Sequence, residues 1–356
     1  MATIILKATD YPDLQPSQLL WNMYQPEKAP FRFQASTRQA AVTWQEETRP
    51  RLEKLLGFGD LPHSDLEPTL IESVDCGAYI REKIILHPSH KLLLPVYLLI
   101  PKHVQIPAAA VIAFHGHGYG VKDIVGLWED GAERTRTDGY QKDFAVELCK
   151  NGFIVAAPEI SCFGERQTDF TYLNLEFGQE MPGTCAHTAF LASFLGGTVM
   201  GLRAFEGKRL LDYLAARPEI DNTRIGAMGI SGGGMHTFYS TCLDTRIKAC
   251  VISGYYSTFA ASILAMHHCP CNYVPGLWQF GEMYDLIGLI APRPVLVETA
   301  TRDPIFPVNS VRLAVSRGRL VFDVFNSPDS LETDIFEGRH EICGRRAFAF
   351  LQEKLA

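Results

Sequence analysis

The stretch RIGAMGISGGGMHTFYS sets Ser231 between Gly229 and Gly233 in a G-x-S-x-G pattern, with Gly232, Gly233 and Gly234 directly after the serine. Glycine is a poor helix former, about 1 kcal/mol worse than alanine in a helix interior, so three in a row where a strand-like run ends need a reason. A serine held on a sharp strand-to-helix turn supplies one, because neighbours two residues away must lack a Cβ to clear it. The helix that follows aims its first amides at the serine and favours the negative charge of acyl transfer. Ser231 is therefore the candidate nucleophile, and the Gly232 N–H a candidate oxyanion donor. The alternative is a glycine-rich turn with a capping serine.

A serine hydroxyl is a poor nucleophile until a base takes its proton. On a scaffold of alternating strands and helices the partners follow in the order serine, acid, histidine, each in a loop after a later strand. His340, in DIFEGRHEICG ahead of RRAFAFLQEKL, is the only histidine beyond the strand-like PVLVETA. For the acid, Asp303 lies in the loop after that strand, flanked by Pro304 and Pro307, and Glu298 lies within it. A loop carboxylate suits the task of orienting His340 and stabilising its imidazolium better, which favours Asp303.

The second oxyanion donor is expected after AAAVIAF, in His115-Gly116-His117-Gly118-Tyr119-Gly120. There the His117 amide is the first choice and Gly118 the second. The H-x-H pair has no further ligands of identifiable geometry, so no metal is expected. In HHCPC (267–271), Cys269 and Cys271 form a C-x-C pair without the usual two-to-four-residue zinc spacing, and are expected to be structural thiols. That loop reads as an insertion near the mouth of the site, with Tyr119, Trp278 and Phe280 as candidate substrate-binding residues. No cofactor is implied.

The elements that must carry these residues form two parts. Residues 1–68 read as an N-terminal helical extension, with QLLWNMY and RQAAVTWQEETRPRLEKLLGFG at near-helical spacing. Residues 69–356 read as the catalytic domain, with an insertion at about 255–292. YIREKIILHP and LLLPVYLLIP look like a hairpin, and AAAVIAF and FIVAAPE like strands buried on both faces. YQKDFAVELCKNG, TAFLASFLGGTVMGLRAFEGKRLLDYLAARP and GGGMHTFYSTCLD read as helices, the second as one long helix. RIGAMGI, IKACVISGYY and PVLVETA are further strands. Strands alternating with helices predict an α/β fold: a mostly parallel central sheet with helices on both faces, and its site beyond the carboxyl ends of the strands.

With 356 residues, 47% hydrophobic and 21% charged, the chain has the composition of a globular protein with a large core. A net charge of −7 argues against a nucleic-acid partner. No segment approaches the roughly 20 apolar residues that span a bilayer, so no membrane partner is expected. The start, MATIILKATDYPDLQ, has neither the basic stretch nor the apolar length of a signal peptide. Nine scattered cysteines suit reduced thiols, and a cytoplasmic location is the expectation.

FHGHGYG, APEISCFGER, RPEIDNTRIGAMGISGGG, LIAPRPVLVETATRDPIFP and FEGRHEICG, in this order, resemble α/β-hydrolases of the acetyl xylan esterase and dienelactone hydrolase-like group, related to the prolyl-oligopeptidase superfamily. The resemblance runs from about Ile71 to the C-terminus. It implies the α/β-hydrolase fold, with Ser231 as nucleophile, Asp303 as acid, His340 as base, and the amides of His117 and Gly232 as oxyanion hole. Relatives often have tyrosine where this chain has His117, a change that a backbone donor tolerates. The expected activity is hydrolysis of small-molecule carboxylic esters of short acyl groups through an acyl-enzyme. The rivals are a serine peptidase or amidase on the same scaffold, and a non-catalytic binding protein with a hydrolase fold. The chain is too short to add a propeller, and it has no repeat of propeller period.

Overall fold

The computed structural model describes residues 5–173 and 183–356. The first four residues of the N-terminal segment lie outside that range. In chain order the elements are α1 (Pro16–Met23), α2 (Arg38–Leu56), β1 (Thr69–Asp75), β2 (Tyr79–Ser89), β3 (Leu92–Pro101), β4 (Ala108–Phe114), α3 (Phe144–Lys150) and β5 (Ile154–Pro158). They continue as α4 (Thr184–Phe194), α5 (Val199–Ala215), β6 (Ile220–Ile230), α6 (Gly232–Leu243), β7 (Ile247–Ser253) and α7 (Met283–Leu286). The last are β8 (Val295–Ala300), α8 (Val308–Val324), β9 (Leu331–Phe336) and α9 (Ala347–Lys354).

The nine strands form one sheet in the order β1-β2-β3-β5-β4-β6-β7-β8-β9. β1, β2, β3 and β5 pair antiparallel in turn, and every pair from β5 through β4 to β9 is parallel. Strand periodicity explains the continuous apolar runs. All seven residues of β4 are buried, yet Ala108, Ala110, Ile112 and Phe114 join one core while Ala109, Val111 and Ala113 join another. The first core packs under α2, α5, α6, α7 and α8, the second under α3 and α9. Alternate side chains thus meet helices on opposite faces, each buried Val, Leu or Ile contributing about 1.5–3 kcal/mol.

Two helices differ from expectation. The single long helix breaks into α4 and α5, whose axes bend by 95°. Gly196 adopts φ +82°, and Thr198 caps α5 by accepting from the Gly201 amide at 2.9 Å. A glycine stop followed by a threonine cap outweighs the helical spacing on either side. The corner is also a docking point: Thr198 donates through both N–H and Oγ1 to the Leu56 carbonyl that ends α2 (2.9 and 2.8 Å). A Cβ on Gly57 would lie 2.6 Å from the Gly197 Cα, so the two segments meet backbone to backbone. The other is α8, unanticipated in the sequence, which buries Val311, Ala314, Val315, Val321 and Phe322.

α2 lies across the first core. Gln45 donates to the carbonyls of Gly288 and Ala291, and Arg49 to those of Cys242 and Leu289, satisfying carbonyls at the ends of α6 and of the turn after α7. Among the described residues no single helix is long and apolar enough to cross a membrane.

Candidate active site

β6 ends at Ile230 and α6 begins at Gly232, leaving Ser231 on the turn with φ +58° and ψ −120°. A non-glycine residue at positive φ is uncommon, and surrounding contacts hold this one there. The Ser231 amide donates to the Ser253 carbonyl at 3.0 Å, and the Met235 amide donates to the Ser231 carbonyl at 2.9 Å. The glycines are clearance: a Cβ on Gly229 would stand 2.4 Å from the Gly233 carbonyl oxygen, and one on Gly233 would stand 1.9 Å from that of Phe114. On Gly234 it would stand 2.6 Å from the Ser253 carbonyl oxygen. The serine side chain makes no capping hydrogen bond, so the helix-cap alternative does not describe it. Ser231 is 9% exposed.

His340 follows β9, and its Nδ1 lies 2.7 Å from Asp303 Oδ2. Asp303 Oδ1 accepts from the amides of Ile305 and Phe306 at 2.9 and 3.0 Å, which fixes the carboxylate in its turn. The His340 ring is stacked between Tyr140 (centroids 5.5 Å, planes 28° apart) and Phe306 (5.8 Å, 21°). Its Nε2 is buried and has no hydrogen-bond partner among the described residues. With Nδ1 paired to a carboxylate the proton sits there, leaving Nε2 as a lone-pair acceptor.

Glu298 is elsewhere. Fully buried in β8, it accepts from Ser253 Oγ (2.8 Å) and from the amides of Cys343 and Gly344 (3.1 and 2.8 Å). Burial raises its pKa, and those hydrogen bonds oppose the rise. It braces the loop after His340, and the carboxylate that meets the imidazole is Asp303.

The His115–Gly120 turn leaves β4 beside Ser231. A Cβ on Gly232 would lie 2.8 Å from His117 Nδ1, so the His117 ring packs directly on the start of α6. Gly232 opens α6, and its amide has no partner within the helix. The turn is held from behind: Gln141 Oε1 accepts from the Gly116 amide at 2.6 Å, and the Tyr140 hydroxyl donates to the His117 carbonyl at 2.5 Å. Gln141 Nε2 donates to Asp123 Oδ2 at 2.7 Å, and Arg134 lies 3.0 Å from both Asp123 and Asp143. Burial pushes both Asp123 and Asp143 up to about 6, opposed chiefly by the Gln141 hydrogen bond at the first and by Arg134 at the second.

Tyr140 and Gly254 lie in no motif, and no local spacing marks them. Burial raises the Tyr140 pKa above the ordinary tyrosine range, the Asp123 charge adds to this, and hydrogen bonding with Ser231 opposes it. Its phenol therefore stays neutral, touching His117, Ser231 and His340 at once. Gly254 lies under His340.

The three candidate substrate-binding residues are not brought to Ser231. The Tyr119 hydroxyl donates to the Leu127 carbonyl at 3.0 Å and is engaged by Arg134, a tie within the loop network. Phe280 is 1% exposed and packs on Phe31 of the N-terminal segment (centroids 5.4 Å), as core. Trp278, 45% exposed, lines an apolar cavity of about 610 Å³ with Leu20, Trp21, Tyr24 and Ile263. None of Ser231, Asp303, His340 or His117 lines it. Phe280 and Trp278 thus face the N-terminal segment instead of Ser231.

Cys269 and Cys271 fall beside His117 and Cys185, within one cluster. Sequence alone does not bring these four together, because they come from three distant segments.

The fold is shared with known proteins. The chain is 29% identical over 276 residues to YtaP of Bacillus subtilis (strain 168), a protein assigned as a hydrolase; the match covers 74% of this chain and 83% of that one. Its structure is similar to that of a Bacteroides fragilis NCTC 9343 protein assigned as an acetyl xylan esterase, with a TM-score of 0.74 at 18% identity over 90% of this chain and 82% of the other. It is also similar to a glucuronoyl esterase from Solibacter usitatus, with a TM-score of 0.64 at 16% identity over 88% and 94%. The model of the Abhydrolase family matches residues 14–317, a span that takes in α1 and α2 as well as most of the sheet. This protein therefore belongs to the Abhydrolase family and has the α/β-hydrolase fold.

Proposed function

We propose that the protein is a serine hydrolase of carboxylic esters with short acyl groups. The observation that carries this is the His340 imidazole, bonded to Asp303 through Nδ1 and unpartnered at Nε2, beside a serine held at positive φ at the head of a helix. Ser231 Oγ attacks the ester carbonyl while His340 Nε2 takes its proton, and Asp303 stabilises the imidazolium without accepting the proton. The amides of His117 and Gly232 receive the oxyanion. His340 then protonates the leaving alkoxide, and water repeats the cycle on the acyl-enzyme. A hydrogen bond from Ser231 Oγ to His340 Nε2 is expected to form on substrate binding.

Ester rather than amide substrates are favoured by the similar structures, which include an assigned acetyl xylan esterase and a glucuronoyl esterase. The deciding experiment compares wild type with Ser231→Ala on p-nitrophenyl acetate and on aminoacyl-amide substrates, with fluorophosphonate labelling alongside. Ester turnover and labelling, both abolished by the substitution, are expected. Full turnover by Ser231→Ala would falsify the mechanism; faster cleavage of amides than of esters would make it a peptidase or amidase. An unlabelled, inactive wild type would make it a binding protein.

A further inference from the structure

We propose that His117, Cys185, Cys269 and Cys271 form a tetrahedral zinc site that fastens the oxyanion turn to α4 and to the loop before α7. One ligand atom from each of the four lies within 4.8 Å of all the others. Cys271 Sγ is 3.8 Å from His117 Nε2, and Cys269 Sγ is 3.0 Å from Cys185 Sγ. Zinc bonds of about 2.3 Å to sulfur and 2.0–2.1 Å to imidazole give tetrahedral edges of roughly 3.5–3.8 Å, so small side-chain adjustments close four ligands around one ion. Three thiolates and an imidazole are the donor set of a closed structural zinc site, and soft sulfur ligands disfavour magnesium or calcium. This revises the expectation drawn from C-x-C spacing. That spacing rule describes ligands supplied from one knuckle, whereas here the third sulfur comes from Cys185 at the start of α4 and the nitrogen from the turn after β4.

A second, independent observation is Arg203. Its side chain is completely buried in α5, and it forms no ion pair with a carboxylate among the described residues. Nη2 donates to the Ser161 carbonyl at 3.0 Å and points to Cys185 Sγ at 3.8 Å; Nε has no partner among the described residues. A buried guanidinium needs a compensating anion. Three thiolates with one Zn²⁺ carry a net charge of −1, which Arg203 brings to zero. The surroundings are those of an enclosed site: the Phe163 ring stands edge-on to His117 at 5.1 Å, Arg203 lies over Phe163, and Asn272 Nδ2 donates to Cys271 Sγ at 3.8 Å.

A metal on Nε2 would keep the His117 proton on Nδ1, the atom that packs against Gly232. The site has four protein ligands and no open position, so its task is to hold the oxyanion turn in place. It stands whether or not Ser231 is the nucleophile, and its test reads metal rather than turnover.

Protein purified under reducing conditions is expected to carry about one zinc per chain by elemental mass spectrometry. Cys185→Ser and Cys271→Ser are each expected to lower this to about a tenth or less, whereas Cys76→Ser, outside the cluster, keeps it. Metal-stripped, reduced wild type titrated with Co²⁺ alone is expected to develop intense tetrahedral ligand-field bands and a sulfur-to-cobalt charge-transfer band, a measurement that needs no variant to fold. A reduced wild type that yields neither zinc nor that spectrum overturns the proposal. So does zinc retained by both cysteine variants, or a Cys185–Cys269 disulfide found by non-reducing peptide mapping.

Discussion

A Cβ on Gly254 would stand 2.9 Å from Cε1 and 3.1 Å from Nδ1 of His340, and 3.6 Å from Asp303 Oδ2. Gly254 follows β7 with φ +49°, and its amide donates to the Glu298 carbonyl at 2.9 Å, so its backbone cannot withdraw. The imidazole and carboxylate rest on bare backbone. Gly254→Ala is therefore expected to displace His340 and lower kcat/KM on p-nitrophenyl acetate by roughly 10²-fold, the scale of an ångström-sized misplacement. Left-handed backbone should cost a further 1–2 kcal/mol or so of stability in urea unfolding. Wild-type turnover from this variant would show that His340 has room to spare.

The two carboxylates should separate by readout. Asp303→Asn keeps the turn but loses the charge facing His340, and kcat is expected to fall by about 10³–10⁴-fold with little change in Tm. Glu298→Gln loses acceptor capacity for three buried donors, and Tm is expected to fall while kcat stays within about tenfold. A larger kcat loss at position 298 than at 303 would reverse the assignment of the acid.

Tyr140→Phe retains the ring stacked on His340 and removes the hydroxyl that donates to the His117 carbonyl and hydrogen-bonds with Ser231. An orphaned buried carbonyl costs about 1–3 kcal/mol, and a loosened oxyanion turn should appear in kcat rather than KM. The expected outcome in steady-state kinetics is a kcat lowered about tenfold with KM little changed. A rise in KM alone would place Tyr140 at the substrate instead.

The residues that were legible in the sequence are those whose chemistry depends on local backbone. Gly229, Ser231 and Gly233 announce a strand-to-helix turn within five positions, and β4 is visible because both its faces are apolar. His340 and Asp303 follow from chain order on that scaffold. Tyr140, Gly254 and the split between α4 and α5 depend on what lies opposite in space, which local spacing does not record. Phe280 and Trp278 show the converse: aromatics in an insertion look like walls of the candidate site until Phe280 is seen packed on Phe31 and Trp278 lining a separate cavity with Trp21.

Asp123 and Asp143 make stability depend on pH. Both titrate at about 6 in the folded protein, against about 3.9 in an unfolded chain. The folded state thus binds more protons between these values. The contribution is complete below about pH 4 and lost as the pH rises through about 6. The groups facing them are Arg134, Gln141, Asp138, His115, Tyr140 and Glu147. Asp123→Asn is expected to flatten the fall in the urea midpoint between about pH 4 and pH 7 relative to wild type. An unchanged slope would mean that Asp123 is ionised throughout.

The corner between α4 and α5 has a consequence for the order of assembly. Leu56, which supplies the acceptor, precedes its donor Thr198 by 142 residues, so during synthesis α2 emerges long before the joint that receives it. Contacts this distant in sequence close late. During synthesis the N-terminal helices are therefore complete before α5 exists to receive them, and this joint closes only once the chain between them has been made. The bare glycines at 57, 197 and 201 then act as a keyhole, cut to admit a segment made well before its receiver.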